Sequence, residues 1–255
     1  MKRRICVLVL TISMTGLLFA ANDTPARDSN AAGLVPEPKQ VGGESQGVVQ
    51  VANLIYAGTK SSKCFSDHFL VQAEKDSKIS TSRRFHQVKL GSEELFEFPL
   101  VIMTGEGDFS LPDGERENLR KFVHNGGFLL ASAGCSSPEW DRSFRSEMAK
   151  IFSEYPLQPI GMEHPIFHTV YDIKQVLQVP NVRNGVRGGP YWEQDGYEPF
   201  CRGIFDEQGR LVVMINGNSD MGDAWEWAEN PYYPLDRSTF AYQLGINAIV
   251  FAMTH

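Results

Sequence analysis

Four short apolar runs constrain the fold of this chain more than any other feature of its sequence. They span residues 48–57, 85–90, 99–103 and 128–131. Each run is followed within three residues by a glycine, and segments between the runs have the residue spacing of helices. Strands that are covered by helices on both faces have this pattern, because neither face of their sheet meets water. The pattern therefore predicts an α/β fold of three layers with a mostly parallel central sheet.

The helix between Ser110 and Asn125 has the clearest predicted boundaries. Ser110 and Asp113 have the spacing of a capping box, in which two side chains bond to free N–H groups of the first turn. Pro112 suits a first turn because it has no N–H to lose. Gly126 follows Asn125 where a left-handed residue ends a helix. Further predicted elements are short helices at 65–74 and 142–152, a long loop at 180–200, a hairpin at 203–205 and 211–215, and a buried helix at 240–253.

The first residues of the chain have the three-part pattern of a secretory signal peptide. A basic head at residues 2–4 precedes a predominantly apolar run at residues 5–18 and the small residues Ala20 and Ala21. The run is shorter than the roughly 18 to 20 residues that span a bilayer, although an uncleaved anchor stays an alternative. We expect an exported protein, periplasmic or secreted, that is cleaved near Ala20 or Ala21. The predicted organisation is a signal peptide at 1–21, a disordered linker at 22–47 and a single α/β domain at 48–255.

The charge of the chain argues against one class of partner. Without residues 1–21 the 24 basic residues fall to 21, against 31 acidic ones, which gives a formal charge of −10. An acidic chain without a basic cluster is repelled by phosphate backbones, so nucleic acid is an unsuitable partner. The mature chain also has no run long enough to span a membrane. The expected partner is an unknown small molecule or a protein of the cell envelope.

No metal or cofactor is predicted. A chain of 255 residues with 42% hydrophobic content buries enough surface to fold without a metal or a disulfide. Gly105, Glu106 and Gly107 lack the third glycine of a dinucleotide fingerprint. His164 and His168 are four residues apart, which suits two metal ligands only if their segment is helical, and a third ligand is not evident.

The cysteines leave their pairing open. Cys6 lies within the predicted signal peptide, and Cys64, Cys135 and Cys201 remain, which is an odd number. At most one disulfide can therefore form within the chain. Cys64 and Cys201 are the natural candidates for it, with Cys135 as a free thiol.

Several segments in a fixed order resemble a bacterial family known only as domain of unknown function 4159. The resemblance covers nearly everything after Gly47 and implies an α/β sandwich related to class I glutamine amidotransferases and to trehalose-utilisation proteins. It carries no established activity. The segments are 51–56 (VANLIY), 99–107 (PLVIMTGEG), 126–130 (GGFLL), 140–145 (WDRSFR), 164–167 (HPIF), 220–222 (DMG) with 225–226 (WE), and 244–247 (LGIN).

Polar residues follow three of the predicted strands. Ligands bind outside the carboxyl ends of the strands in an open parallel sheet, so the loops at 105–108, 133–136 and 216–220 should meet there. The site predicted at this edge has Glu106, Asp108, Asp141, Arg145, Asp220, Trp225 and Glu226 as ligand-binding residues, beside Cys135 and His164. Helix capping and salt bridges are the structural alternative for the carboxylates.

Cys135 and His164 are the candidate catalytic pair. Cys135 lies between a strand and a helix, where amidotransferase-like enzymes hold a thiol nucleophile. However, Ala133 and Ser137 stand where that motif has glycine, and Ile166 replaces the glutamate of its His-Pro-Glu partner. The standard triad is therefore incomplete, and a buried, idle thiol is the alternative.

Three functions stay open at this point. The first is an uncharacterised ligand-binding or non-catalytic amidotransferase-like domain of the cell envelope. The second is a thiol-dependent hydrolase or acyl transferase that uses Cys135, and the third is an interaction module within an envelope assembly. Beside these three, a carbohydrate-related, trehalose-utilisation-like protein is an alternative. Aromatic residues in the last third of the chain could stack on sugar rings if they are exposed in a cleft, or could fill the core. They are Trp192, Trp225, Trp227, Tyr191, Tyr197, Tyr232 and Tyr233.

Overall fold

The computed structural model describes residues 47–58, 60–61, 67–194 and 196–255, without the side chain of Cys135. The predicted signal peptide and nearly all of the predicted linker lie outside this part. The strands are β1 (Val48–Tyr56), β2 (Lys60–Ser61), β3 (Ser80–Lys89), β4 (Leu100–Gly105), β5 (Phe128–Ala133), β6 (Gln158–Pro159), β7 (Phe200–Phe205) and β8 (Leu211–Gly217). The helices are α1 (Asp67–Ser77), α2 (Asp113–His124), α3 (Pro138–Ile151), α4 (Val182–Arg187), α5 (Met221–Trp227) and α6 (Leu235–Thr254).

The strands form one sheet that is mostly parallel, as the apolar runs predict. Its order is β2-β1-β4-β5-β8-β7-β6, and β3 pairs with β1. β3, β1, β4, β5 and β8 run parallel, whereas β7 runs antiparallel to β8. Met103 is in register with Ala131, so β4 and β5 end at the same edge of the sheet. We call this the carboxyl edge, where β1, β4, β5 and β8 end, and the opposite side the amino edge.

Helices cover both faces of the sheet, which gives the predicted three layers. On β5 the side chains alternate: Leu129 packs on the side of α2 and α3, and Leu130 packs on the side of α1, α5 and α6. Phe144 of α3 and Leu244 of α6 are fully buried on these two sides. No helix in the described part of the chain combines the length and the apolarity of a membrane span.

One long-range contact and one local cap correct the predicted helix boundaries. The capping box at Ser110 is wrong, because α2 begins at Asp113 without a side-chain cap. Ser110 instead donates to the buried carboxylate of Glu147, with Oγ and Oε1 3.4 Å apart. The helix predicted at 142–152 begins earlier, at Pro138, because the hydroxyl of Ser137 accepts a bond from the N–H of Trp140 at 3.3 Å.

The remaining elements agree with the sequence apart from their lengths. α2 ends before Gly126, whose φ is 100°, as predicted. The predicted hairpin is present as β7 and β8, and the predicted buried helix is the longer α6. β3 begins five residues before the predicted strand, and the predicted loop at 180–200 contains the short helix α4.

Candidate functional site

A polar pocket lies at the carboxyl edge, between the ends of β5 and β8, the start of β7 and the first turns of α3. Its volume is about 280 Å³. This is near the lower limit for small-molecule sites, so it suits a small ligand or one group of a larger ligand. We call it the arginine pocket; its side chains include Asp141, Arg142, Arg145, Phe200, Arg202 and Asn218. Three guanidinium groups against one carboxylate give it a positive charge in an otherwise acidic protein.

Arg202 is the arginine of the pocket that forms no ion pair with the described acidic residues. It forms no hydrogen bond or ion pair within the described part of the chain. Its guanidinium lies over the ring of Phe200, 4.6 Å from the ring centroid. Both side chains belong to β7 two residues apart, so the strand directs them to the same face. The contact holds a planar group with five N–H donors beside the pocket.

Asp141 and Arg145 form an ion pair one turn apart on α3. Arg145 Nη2 lies 2.6 Å from Asp141 Oδ2, and Asp141 Oδ1 is buried without a hydrogen-bond partner. Burial raises the pKa of Asp141 above its ordinary value, and the nearby Arg145, Arg202 and Arg142 oppose that shift. Arg142 itself pairs weakly with the exposed Glu139 at 3.4 Å. Asp141 therefore engages Arg145 and leaves Arg202 available.

Two non-glycine residues with left-handed backbone line the pocket. Ser136, just after β5, has φ 49°, and Asn218, just after β8, has φ 55°. Such conformations are uncommon outside glycine and collect at functional sites. Two hydrogen bonds hold Asn218 in place. Its side-chain amide donates to the backbone carbonyl of Glu198 at 2.6 Å, and its backbone carbonyl accepts from the side-chain amide of Gln178 at 3.0 Å. The rim of the pocket is therefore fixed.

The crevice between β1 and β4 is filled on the side of α3. Parallel sheets with this strand order bind ligands at the point where the strand order reverses, which here is between β1 and β4. The hydroxyl of Tyr56 donates to the carbonyl of Thr104 at 2.9 Å and accepts from the indole N–H of Trp140 at 2.7 Å. A Cβ on Gly105 would lie 2.2 Å from that hydroxyl. The open space lies instead at the ends of β5 and β8.

The predicted acidic residues reach the carboxyl edge in different environments. Glu106 and Asp108 are exposed after β4, and Lys60 Nζ donates to the carbonyl of Glu106 at 2.8 Å. Asp220 is 7% exposed and caps α5, where it accepts from the N–H of Asp223 at 3.2 Å. The structural alternative thus describes Asp220, although its role in binding stays untested. Glu226 is exposed on α5.

Trp225 is a core residue, which corrects its place in the predicted site. It is 2% exposed, and its ring stacks on Phe69 with the centroids 4.4 Å apart. Its indole N–H donates to the carbonyl of Ala241 at 3.0 Å. A ligand at the carboxyl edge cannot reach this ring.

His164 lies at the amino edge, away from the segment of Cys135. Its ring is 5.6 Å from that of Phe205, and Phe205 pairs with Leu211 at the start of β8. Asn216 of β8, which pairs with Ser132 near the end of β5, is five residues or about 16 Å further along the strand. The predicted pairing of His164 with Cys135 is therefore wrong. Burial lowers the pKa of His164, and the charge of His255 adds to that effect.

The remaining metal and disulfide candidates also change. His164 and His168 flank a 3₁₀ turn at Pro165–Phe167, not a helix, and His168 contacts Asp172 and the carbonyl of Met162 through its two nitrogens. The described residues contain no cluster of three or more His, Cys, Asp or Glu side chains that could hold a metal. Cys201 is a free, buried thiol whose pKa burial raises to about 12. Cys64, its suggested partner, lies outside the described residues.

Arg202 is the residue that sequence reasoning missed. The segment 200–205 (FCRGIF) is an apolar strand with one charged residue. Its alternation puts Arg202 on the face of Phe200 and opposite to Cys201. A lone arginine within a strand that begins at the carboxyl edge was the available signal.

Fold and site together define an α/β protein with a positively charged pocket at the carboxyl edge of a mostly parallel sheet. The chain belongs to the family described as Domain of unknown function (DUF4159), whose model matches residues 51–253. No curated protein matches the sequence.

Proposed function

We propose that the protein is a non-catalytic binding domain that takes a small anionic ligand, such as a carboxylate, into the arginine pocket. The observation that carries the proposal is Arg202, a stacked guanidinium that lines a polar cavity and forms no ion pair with the described residues. Arginine binds carboxylate and phosphate through two parallel N–H bonds, which a preoriented planar group favours. Arg142 supplies a second, exposed positive charge at the same opening.

The strand order supports a distant relation to amidotransferase-like proteins. Counted along the parallel part of the sheet, β3-β1-β4-β5-β8 has the order 2-1-3-4-5 of flavodoxin-like folds. The thiol-hydrolase alternative is weaker, because His164, its candidate base, lies at the amino edge. A binding role therefore accounts for the site better than acyl transfer does.

The proposed location of this binding domain is the periplasm or the exterior of the cell. The basic head, the apolar run and the small residues at 1–21 support it. An anion-binding domain there would meet ligands of the envelope. Mass spectrometry of the protein from cells would report the first residue of the mature chain, and an intact Met1 would contradict cleavage.

The test compares two arginine substitutions that remove the same charge. Arg202→Ala is expected to weaken the binding of acetate or phosphate by about 10- to 100-fold, since hydrogen bonds to charged groups contribute roughly 1.5 to 3 kcal/mol. Arg84→Ala removes an exposed arginine on β3 and should leave the dissociation constant unchanged. Isothermal titration calorimetry on the purified protein measures both. Equal affinities of the two variants would show that the arginine pocket is not the site.

A further inference from the structure

Two aromatic side chains are exposed on the chain segment that leads into β7. Trp192 is 43% exposed and Tyr197 is 63% exposed. Their ring centroids are 5.8 Å apart and the ring planes meet at 54°. The two rings therefore form an open corner on the surface, and neither is part of the core beneath it. Large aromatic residues left in water in this way mark binding surfaces more often than isolated aliphatic ones do.

Hydrogen bonds attach this segment to the arginine pocket. The carbonyl of Gly196 accepts from Gln178 at 2.6 Å, and the carbonyl of Glu198 accepts from Asn218, which lines the pocket, at 2.6 Å. A Cβ on Gly196 would lie 2.8 Å from Asn218 Oδ1, so the two segments are in close contact. Tyr197 is three residues before Phe200, at most about 10 Å along the chain. The aromatic corner thus belongs to a segment that is bonded directly to Asn218 of the pocket.

The two features together specify a ligand with two different parts. An anionic group suits Arg202 inside the arginine pocket, and a body with a flat apolar face suits the aromatic corner outside it. A pyranose ring presents C–H groups on one face and hydroxyls at its edge. The backbone carbonyls of Trp192 and Glu198 lie beside the corner, where they accept from the side-chain amides of Asn184 and Asn218. Each carbonyl oxygen has a second lone pair that can accept from a hydroxyl. A purely aromatic acid has no hydroxyl to offer them.

We infer that the ligand is a sugar acid, a uronic-acid unit alone or at the end of a saccharide, with its carboxylate on Arg202 and its ring on Trp192 and Tyr197. This inference rests on the proposed anion site and adds the substrate class to it. Binding needs no covalent step. The aromatic corner supplies affinity for the ring, and the arginine pocket supplies selection for the charge.

The experiment titrates the purified protein with acetate, glucuronate, glucose and benzoate. Glucuronate is expected to bind at least about tenfold more tightly than acetate, because it adds the ring contact. In the double variant Trp192→Ala/Tyr197→Ala the glucuronate advantage should disappear while acetate affinity stays the same. Tyr197→Phe, which keeps the ring, should retain the advantage. Both residues are exposed, so the thermal unfolding of the double variant serves as the control for folding.

The failures of the two proposals are distinguishable. Acetate that binds with an Arg202-dependent affinity, together with an unchanged glucuronate advantage in the double variant, overturns the sugar-acid inference and leaves the anion site standing. If the affinity for benzoate, relative to acetate, equals or exceeds that for glucuronate, the sugar-acid inference is overturned as well, and the ligand is a flat aromatic acid. Absence of acetate and glucuronate binding, or binding that is indifferent to Arg202→Ala, overturns the proposed function itself.

Discussion

Both edges of the sheet carry arginines beside a cavity, but those at the amino edge form ion pairs, whereas Arg202 at the carboxyl edge forms none with the described residues. At the amino edge a cavity of about 830 Å³ contains Arg120 and Arg210. Arg120 pairs with Glu154, and Arg210 pairs with Asp206 at 3.0 Å. At the carboxyl edge the arginine pocket has only about 280 Å³, and Arg202 within it is unpaired in the described chain. The smaller cavity is thus the one with unused binding capacity.

In the proposed function, the state of the charges, more than the size of the cavity, distinguishes the arginine pocket from the groove at the amino edge. Arg210 also donates to the carbonyl of Val123 at 2.9 Å and so satisfies the end of α2. Its N–H donors thus bond the turn between β7 and β8 to the end of α2. A ligand at the amino edge would have to displace these bonds, whereas a ligand at Arg202 displaces only water.

The largest expected effect tests the closed part of the carboxyl edge. Gly105→Ala should lower the free energy of unfolding by about 2 kcal/mol, because the new Cβ would overlap Tyr56 and Trp140 in a packed core. Gly114→Ala is the matched control, since no atom lies within 4 Å of its Cβ position in α2. That substitution should be neutral or stabilising by up to about 1 kcal/mol. Urea unfolding measures both, and a neutral Gly105→Ala would contradict the filled crevice.

The second prediction separates structural from functional arginines. Arg210→Ala should lower the free energy of unfolding by about 1 to 2 kcal/mol, because it breaks a largely buried ion pair and the bond to Val123. Arg202→Ala should cost only about 0.5 kcal/mol, the lower end of the range for a cation–π contact such as that with Phe200. The same urea titrations decide. A reversed order of the two losses would mean that Arg202 is a structural residue.

The sheet could be predicted because its signals are local. An apolar run that ends at a glycine reports both burial and a strand end, and Gly126 ended α2 for the same steric reason. These signals placed the loops after β4, β5 and β8 at one edge. Asp141 and Arg145, which the sequence assigned to the same site, do line the pocket, and the structure places them one turn apart on α3.

Most of the errors arose where a distant contact decided the outcome. Ser110 bonds to Glu147, 37 residues away, and so does not cap its own helix. His164 belongs to a segment that crosses to the amino edge, and no local pattern tells at which edge such a segment lies. Trp225 is buried by α1 and α6, which pack over α5. Composition alone cannot distinguish a tryptophan of this kind from the exposed Trp192.

The smallest expected effect compares one carboxylate from each edge as the pH changes. The pKa of Asp141 is raised in the folded protein, so its contribution to stability is complete below its ordinary pKa of 3.8 and is lost as the pH rises through the raised value. The pKa of Glu154 is lowered to about 2 by Arg120, so its contribution is present above 4.5 and is lost as the pH falls towards 2. We therefore compare the free energy of unfolding of each variant with that of the unsubstituted protein as the pH rises from about 3 to about 6. Over this interval Asp141→Asn should gain stability relative to the unsubstituted protein, and Glu154→Gln should lose it. Urea unfolding across that interval measures both. Trends of the same sign would refute the contrast between the edges, because a carboxylate whose pKa is raised by burial and one whose pKa is lowered by its arginine must respond oppositely.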